Sequence, residues 1–271
     1  MMLRLRRPNV VRSVDLVVER QGPVVDSPAE AVIAHFSDTP TVSQSLNELV
    51  RQFRLAGWRV VVASSCPART PLVWAPDVAQ EVTVLRKANI GYDFGSWAAA
   101  LAWDGSAVER ERVLLCNDSL VGPFSTMRPI LDQVSGSAHD VVALTDSAQF
   151  VPHLQSYFLA FRGAVLNEAP IRRFWAGIQH HEDKKDVIWR NELGLSQLLR
   201  REAFATTALF PWDQVVPAGE NPVIRGWREL LDRGFPFVKR EILRSPEVAP
   251  AGESMPGTVR GLFGVEVEEW V

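Results

Sequence analysis

Asn117-Asp118-Ser119 directly follows the apolar run Val113-Leu114-Leu115-Cys116 and precedes Gly122-Pro123, so an amide, a carboxylate and a hydroxyl crowd a turn at a strand end. A carboxylate in that position can hold a divalent cation, Mg²⁺ or Mn²⁺, against a diphosphate and so stabilise a departing anion. Asp118 is therefore the metal candidate and a catalytic candidate, with Asn117 and Ser119 beside it. The plainer alternative is an acid that only caps the turn.

A second polar loop, Asn89-Ile90-Gly91-Tyr92-Asp93-Phe94-Gly95, joins a strand to a helix. Its glycines let backbone approach a ligand at a helix start, with Asn89, Gly91 and Asp93 as contacts, unless Asp93 is simply the helix N-cap. It matches neither a dinucleotide fingerprint nor a P-loop.

In His153-Leu154-Gln155-Ser156-Tyr157-Phe158, extended backbone would put His153, Gln155 and Tyr157 on one polar face, facing a cleft. Glu192 opens a helix whose buried face is marked by Leu195, Leu198 and Leu199. There the helix dipole would hold the carboxylate ionised, as a general base requires. Lys239 and Arg240, among Phe235, Pro236 and Phe237, can clamp a diphosphate; the alternative is solvated surface charge.

The elements that must position these groups alternate. Strands are expected at residues 31–36, 58–63, 81–85 and 113–116, and helices at 42–53 and 94–103. Such alternation indicates crossover units on a mixed, largely parallel central sheet, with a Rossmann-like nucleotide-binding half. Ligands then bind beyond the carboxyl ends of the strands, where Asp38 and Ser65 also fall, near a base or ribose. Beyond the midpoint the pattern loosens: strands at 140–144 and 157–161, helices at 171–178, 189–201 and 225–231, then a Pro-, Gly- and Glu-rich tail expected to be loosely held.

The 271 residues are 46% hydrophobic and 23% charged, enough for a full core, and the formal net charge of −3 argues against a general grip on nucleic acid. Cys66 and Cys116, both in apolar stretches, read as buried thiols in a reducing cytoplasm. The expected location is cytoplasmic, with no run near the ~18 apolar residues of a membrane span. Residues 1–7 are expected to be disordered. The alternative is peripheral contact with the inner face of the cell membrane, Met1, Leu3 and Leu5 lying beside Arg4, Arg6 and Arg7.

Taken in order, residues 87–97, 115–124, Thr145-Asp146-Ser147, 153–158, Asn191-Glu192-Leu193-Gly194-Leu195-Ser196, Asn221-Pro222 and 235–244 resemble the rhamnan synthesis protein F family of glycosyltransferases. The resemblance covers about residues 31–245. It implies a GT-A-like α/β fold with a nucleotide-binding half (29–135) and an acceptor half (136–245), between an N-terminal extension (1–28) and a C-terminal tail (246–271). It further implies a dTDP-L-rhamnose donor and a growing glycan acceptor, lipid-linked or free, with partner transferases nearby. Asp118 matches the metal carboxylate of GT-A enzymes and Glu192 their base. Asp146, His153, Gln155 and Tyr157 then face acceptor or sugar. Asn117-Asp118-Ser119 stands in place of an Asp-x-Asp, and Asn191-Glu192 in place of a Glu-Asp pair.

The expected activity is inverting transfer of a sugar onto a bacterial cell-surface polysaccharide. A non-catalytic sugar-nucleotide- or glycan-binding subunit is the alternative. A nucleotidyltransferase ranks last, because no Gly-rich basic loop near the start is suited to a triphosphate.

Overall fold

The computed structural model describes residues 9–250 and 254–271; the membrane-face segment, residues 1–7, lies outside them. A short helix α1 (Val10–Ser13) leads to β1 (Val17–Arg20), β2 (Ala29–His35), α2 (Gln44–Leu55), β3 (Arg59–Ser64), β4 (Thr83–Arg86), α3 (Tyr92–Trp103), β5 (Arg112–Asn117), β6 (Leu120–Val121) and α4 (Arg128–Gly136). The second half supplies β7 (Val141–Ser147), β8 (His153–Leu154), β9 (Phe158–Arg162), α5 (Gly163–Asn167), α6 (Ala169–Ala176), α7 (Lys184–Val187), a π-helical turn (Ile188–Glu192), α8 (Leu193–Arg201) and β10 (Thr206–Phe210). After these come α9 (Pro222–Arg225), α10 (Trp227–Asp232), β11 (Val238–Lys239), α11 (Arg240–Arg244), α12 (Met255–Phe263) and a 3₁₀ turn (Val267–Trp270).

One nine-stranded sheet runs in the order β1-β4-β3-β2-β5-β9-β7-β10, with β8 paired to β7. Strands β4, β3, β2 and β5 are parallel, β9 is antiparallel to both β5 and β7, and β10 is parallel to β7. The carboxyl ends of all the parallel strands, and the start of β9, therefore share one edge. The chain winds outward from β2 through β3 to β4, then returns to the other side of β2 as β5. That reversal makes the β2/β5 junction the switch point, where a crevice opens in doubly wound sheets.

Burial on both faces explains the apolar runs. All seven residues of β2 and all six of β5 are buried, as expected for strands covered on both sides. On one face α2 packs Leu46, Leu49, Val50 and Phe53 together with Trp227, Leu230 and the tail residues Met255, Val259, Val267 and Trp270. The other face carries α3, α6 and α8, whose Phe94, Trp97, Trp175, Leu195 and Leu199 meet Val32, Leu115 and Phe161. Stacked and edge-on contacts among Phe94, Trp97 and Trp175 fix the angle of α3 to the sheet. Trp97 also donates its indole N–H to the Cys116 carbonyl at 2.9 Å, one residue before the polar turn.

Several elements differ from expectation, β10 and α4 among them. Val17–Arg20, within the stretch read as an extension, adds an antiparallel edge strand to β4. The tail expected to be loosely held closes the core instead, and the Trp270 carbonyl accepts from the Ser45 hydroxyl at 2.6 Å. The helix expected to open near Trp189 begins at Lys184 and runs through the π-helical turn into α8. Cys66 and Cys116 are both buried, and burial pushes the Cys116 thiol well above its ordinary range. Among the described residues no helix is long and apolar enough to cross a membrane.

Candidate functional site

The polar turn after β5 is held from three directions. The Asp118 carboxylate accepts from the Phe36 backbone N–H at 3.2 Å, bridging the ends of β5 and β2 at the switch point. The Asn117 side chain accepts from the Ser119 N–H at 3.1 Å and from its hydroxyl at 2.6 Å, and donates through Nδ2 to Asp93 at 2.7 Å. The two loops singled out in the sequence are thus one hydrogen-bonded unit.

Asp93 is carried into it by α3, which starts at Gly91. That residue has φ +83°, and a Cβ there would press on Val10 and Gly95. Asp93 therefore lies in the first turn of α3, and the N-cap position belongs to Gly91. The Gly91 N–H is taken by His180 Nδ1 at 3.2 Å.

The basic pair arrives from far along the chain. β11 pairs antiparallel with β6, aligning Lys239 with Leu120. Lys239 Nζ donates to the Ser119 hydroxyl at 3.0 Å and lies 5.4 Å from the Tyr157 ring centroid. Arg240 donates its backbone N–H to the Ser119 carbonyl at 3.0 Å and its Nε to the Asp118 carbonyl at 3.2 Å. Gly122, with φ +124°, lets the two segments cross, since a Cβ there would stand 2.4 Å from the Pro236 carbonyl oxygen. The Gly122 N–H in turn donates to Ser45 Oγ at 3.1 Å, so α2, the polar turn and the tail share one hydroxyl.

Electrostatics set the two carboxylates of this unit apart. Burial, then repulsion from Asp118, pushes Asp93 up to about 6. Burial also pushes Asp118 up to about 6, against the pull of Arg240. His35 lies 3.9 Å from Asp118, but burial, with Arg86 and Arg240 nearby, lowers it to about 4; it is neutral at physiological pH and forms no ion pair there. Burial lowers Lys239 too, although Glu192 and Asp93 resist the shift. Lys239 thus lies within electrostatic reach of both Asp93 and Glu192.

Glu192 has different surroundings. Its carboxylate accepts from the Ser156 backbone N–H at 3.0 Å and from the Ser156 hydroxyl, and His153 Nε2 lies 3.4 Å away. Burial would raise its pKa, but the hydrogen bonds from His153 and Ser156 outweigh burial and hold it below the ordinary glutamate value. His153 Nδ1 lies 2.8 Å from the Val151 carbonyl and must carry a proton to bond it, so Nε2 donates to Glu192 only as imidazolium. His153 is accordingly shifted upward, Glu192 overcoming the effect of burial. The dipole explanation does not hold, because Glu192 lies inside a continuous α7–π–α8 segment and not at a helix start.

The expected polar face at 153–157 is not formed. β8 spans only His153–Leu154, the chain bends before β9, and all of His153, Gln155, Ser156 and Tyr157 are buried. Thr145 donates its hydroxyl to Gln155 Oε1 at 2.6 Å, and its oxygen meets the Tyr157 hydroxyl. Gln155 Nε2 donates to Asn221 at 3.2 Å, and Asp146 accepts from the Trp212 N–H at 2.8 Å. The polar atoms of Asp146, Gln155 and Tyr157 are therefore engaged by protein, and only the ring of Tyr157 reaches the site, under Lys239. Asp38 and Asn89 are exposed on loops at the same sheet edge, while Ser65 is buried and accepts from Lys87 Nζ at 3.1 Å.

Ser156 and Lys87 were not assigned roles from sequence. Ser156 fell on the face assumed apolar. Lys87 follows β4 just as Asp118 follows β5, and that position is the signal in the sequence. Buried, and lowered to about 8 by that burial, Lys87 also bonds the Ile90 carbonyl at 3.0 Å and so braces the Asp93 loop.

No group of three or more His, Cys, Asp or Glu among the described residues is gathered as a metal cage. The Asp93 and Asp118 carboxylates, both raised by burial, are of the kind that fits Mg²⁺ or Mn²⁺, which often binds through one or two carboxylates together with substrate phosphates.

Residues 77–260 match the family described as Rhamnan synthesis protein F. The "Virulence protein VirA" of Vibrio anguillarum (strain ATCC 68554 / 775) is 30% identical, over 64% of this chain and 68% of that protein. The "Uncharacterized protein y4gN" of Sinorhizobium fredii (strain NBRC 101917 / NGR234) is 27% identical, over 55% of this chain and 40% of its own length.

Proposed function

The chain belongs to the rhamnan synthesis protein F family, and from that premise we propose that it is a GT-A-like glycosyltransferase of bacterial cell-surface polysaccharide synthesis. Membership ties it to polysaccharide synthesis. The finer reading is inverting transfer of a sugar, L-rhamnose from dTDP-L-rhamnose first, onto a growing glycan that is free or lipid-linked. The observation that carries it is the junction at the switch point, where Asp93, Asn117, Asp118, Ser119, Lys239 and Arg240 form one network within electrostatic reach of Glu192.

In this reading the nucleotide lies over the ends of β2 and β3, near Asp38 and Ser65. Lys239 and Arg240 bring positive charge to the diphosphate as it departs, in a setting where burial already disfavours their own charge and so favours an anion beside them. Asp118 and Asp93 would hold Mg²⁺ or Mn²⁺, which when bound neutralises diphosphate charge. Glu192, ionised and held by Ser156, accepts the proton of an acceptor hydroxyl attacking the anomeric carbon from the opposite face. The antiparallel strand β9 between parallel β5 and β7 supports the GT-A-like reading, because it turns the acceptor half toward the same sheet edge.

Purified protein is to be incubated with dTDP- and UDP-sugars and glycan acceptors, with and without Mn²⁺, and products read by mass spectrometry. A glycan extended by one sugar is the expected result. Folded protein that binds no nucleotide sugar would remove this reading; binding without turnover would leave the accessory-subunit alternative.

A further inference from the structure

We propose that Phe150 and Trp189 form a stacking platform for a saccharide ring of the acceptor glycan. The inference rests on the glycosyltransferase reading and adds to it the place where the acceptor is held. Both side chains are large aromatics, each 54% exposed, and their ring centroids lie 5.6 Å apart with planes at 43°. Two aromatic faces left exposed together make an apolar patch of the kind that serves as an interaction surface.

Position identifies the occupant. Trp189 precedes Glu192 by three residues within the same π-helical turn of one continuous helical segment. Phe150 precedes His153, the partner of Glu192, by three residues. Each half of the aromatic pair is thus joined through three residues of its own backbone to one half of the His153–Glu192 pair, the pair assigned to take the acceptor proton. Trp189 also sits in the π-helical turn, a local widening that recurs at functional sites.

The surroundings suit a sugar. Gln149 and Arg190, the sequence neighbours of the two rings, are exposed and polar. A pyranose presents a patch of C–H groups on one face and hydroxyls around its rim, matching aromatic faces with hydrogen-bonding groups at their edge. A hydrocarbon chain would gain nothing from that rim.

The test uses an α-linked L-rhamnose trisaccharide as acceptor probe and dTDP-L-rhamnose as donor probe, with affinities from calorimetry and ring contacts from saturation-transfer NMR. In Trp189→Ala the trisaccharide should bind about tenfold more weakly. Phe150→Ala should show a smaller loss, and Trp189→Phe should stay within about threefold of the parent because it keeps an aromatic face. Donor affinity should be unchanged in all three, and matching thermal unfolding midpoints would show that the fold is intact. Equal trisaccharide affinity in Trp189→Ala and the parent would overturn the platform. So would a parent protein that binds dTDP-L-rhamnose but not the trisaccharide, which leaves the transferase reading standing. A parent that binds neither overturns both.

Discussion

Burial raises Asp93 and Asp118, at the ends of the parallel strands, and would raise Glu192, on the helical segment, yet the net shifts run in opposite directions. The first two are pushed up to about 6, while Glu192 is held below its ordinary value by Ser156 and His153. On the proposed nucleotide side, burial leaves both carboxylates harder to ionise, a condition that a bound cation would relieve. On the proposed acceptor side, Glu192 is balanced from within by Ser156 and His153 and is ionised at physiological pH. A binding site gains from the first condition and a standing base from the second.

The sharpest way to break this comparison is Glu192→Gln. It should lower turnover by roughly 10²–10⁴ while leaving nucleotide-sugar affinity within about twofold, as read by steady-state assays and calorimetry. Asp118→Asn should do the reverse in kind, weakening Mn²⁺-dependent donor binding by about tenfold; unchanged metal dependence would take Asp118 out of the role.

Ser156→Ala probes the balance on the acceptor side. Loss of one donor raises the Glu192 pKa, so the acid limb of the kcat profile should move to higher pH; a limb that stays in place would mean Glu192 is not the titrating base.

The nucleotide side has a stability signature. A carboxyl whose folded pKa lies above its unfolded value stabilises the fold at low pH, and that contribution is lost as pH rises. For Asp93 the window runs from the ordinary 3.8 to about 6. Asp93→Asn should therefore flatten the fall in thermal stability across that window and raise the melting temperature near pH 7.5 by about 2–5 °C. A steeper fall would reverse the assignment. The smallest effect is expected at Arg128→Ala, which removes an exposed i,i+4 pair with Asp132 on α4 and should change melting by no more than about 1 °C.

Much of the strand side was legible because β2, β3 and β5 are apolar runs ended by polar turns, and a buried parallel strand leaves few other ways to arrange such residues. β1 and β10 escaped notice because they lie at the sheet edges, where one flank is unpaired and the residues are only half-buried or exposed. The tail misled through its Pro and Gly, although Met255 and Val259, four apart, already marked a packed helix face. Glu192 was found, but its partners were not. Ser156 lies 36 residues away, and an alternating-strand reading of 153–158 could not foresee the bend that turns it toward the helix.

The pairing of β6 with β11 has a consequence in time. Lys239 reaches Ser119 across 120 residues of chain, so the basic end of the polar junction is completed by one of the longest closures among the described residues. Synthesis presents β2 to β5 first, and they can associate while the cations that finish the pocket are still to be made. A newborn chain would carry its acids exposed and inert until the last third docks. A change at Gly122, whose Cβ would press on the Pro236 carbonyl, should hinder this docking and lower the yield of competent molecules.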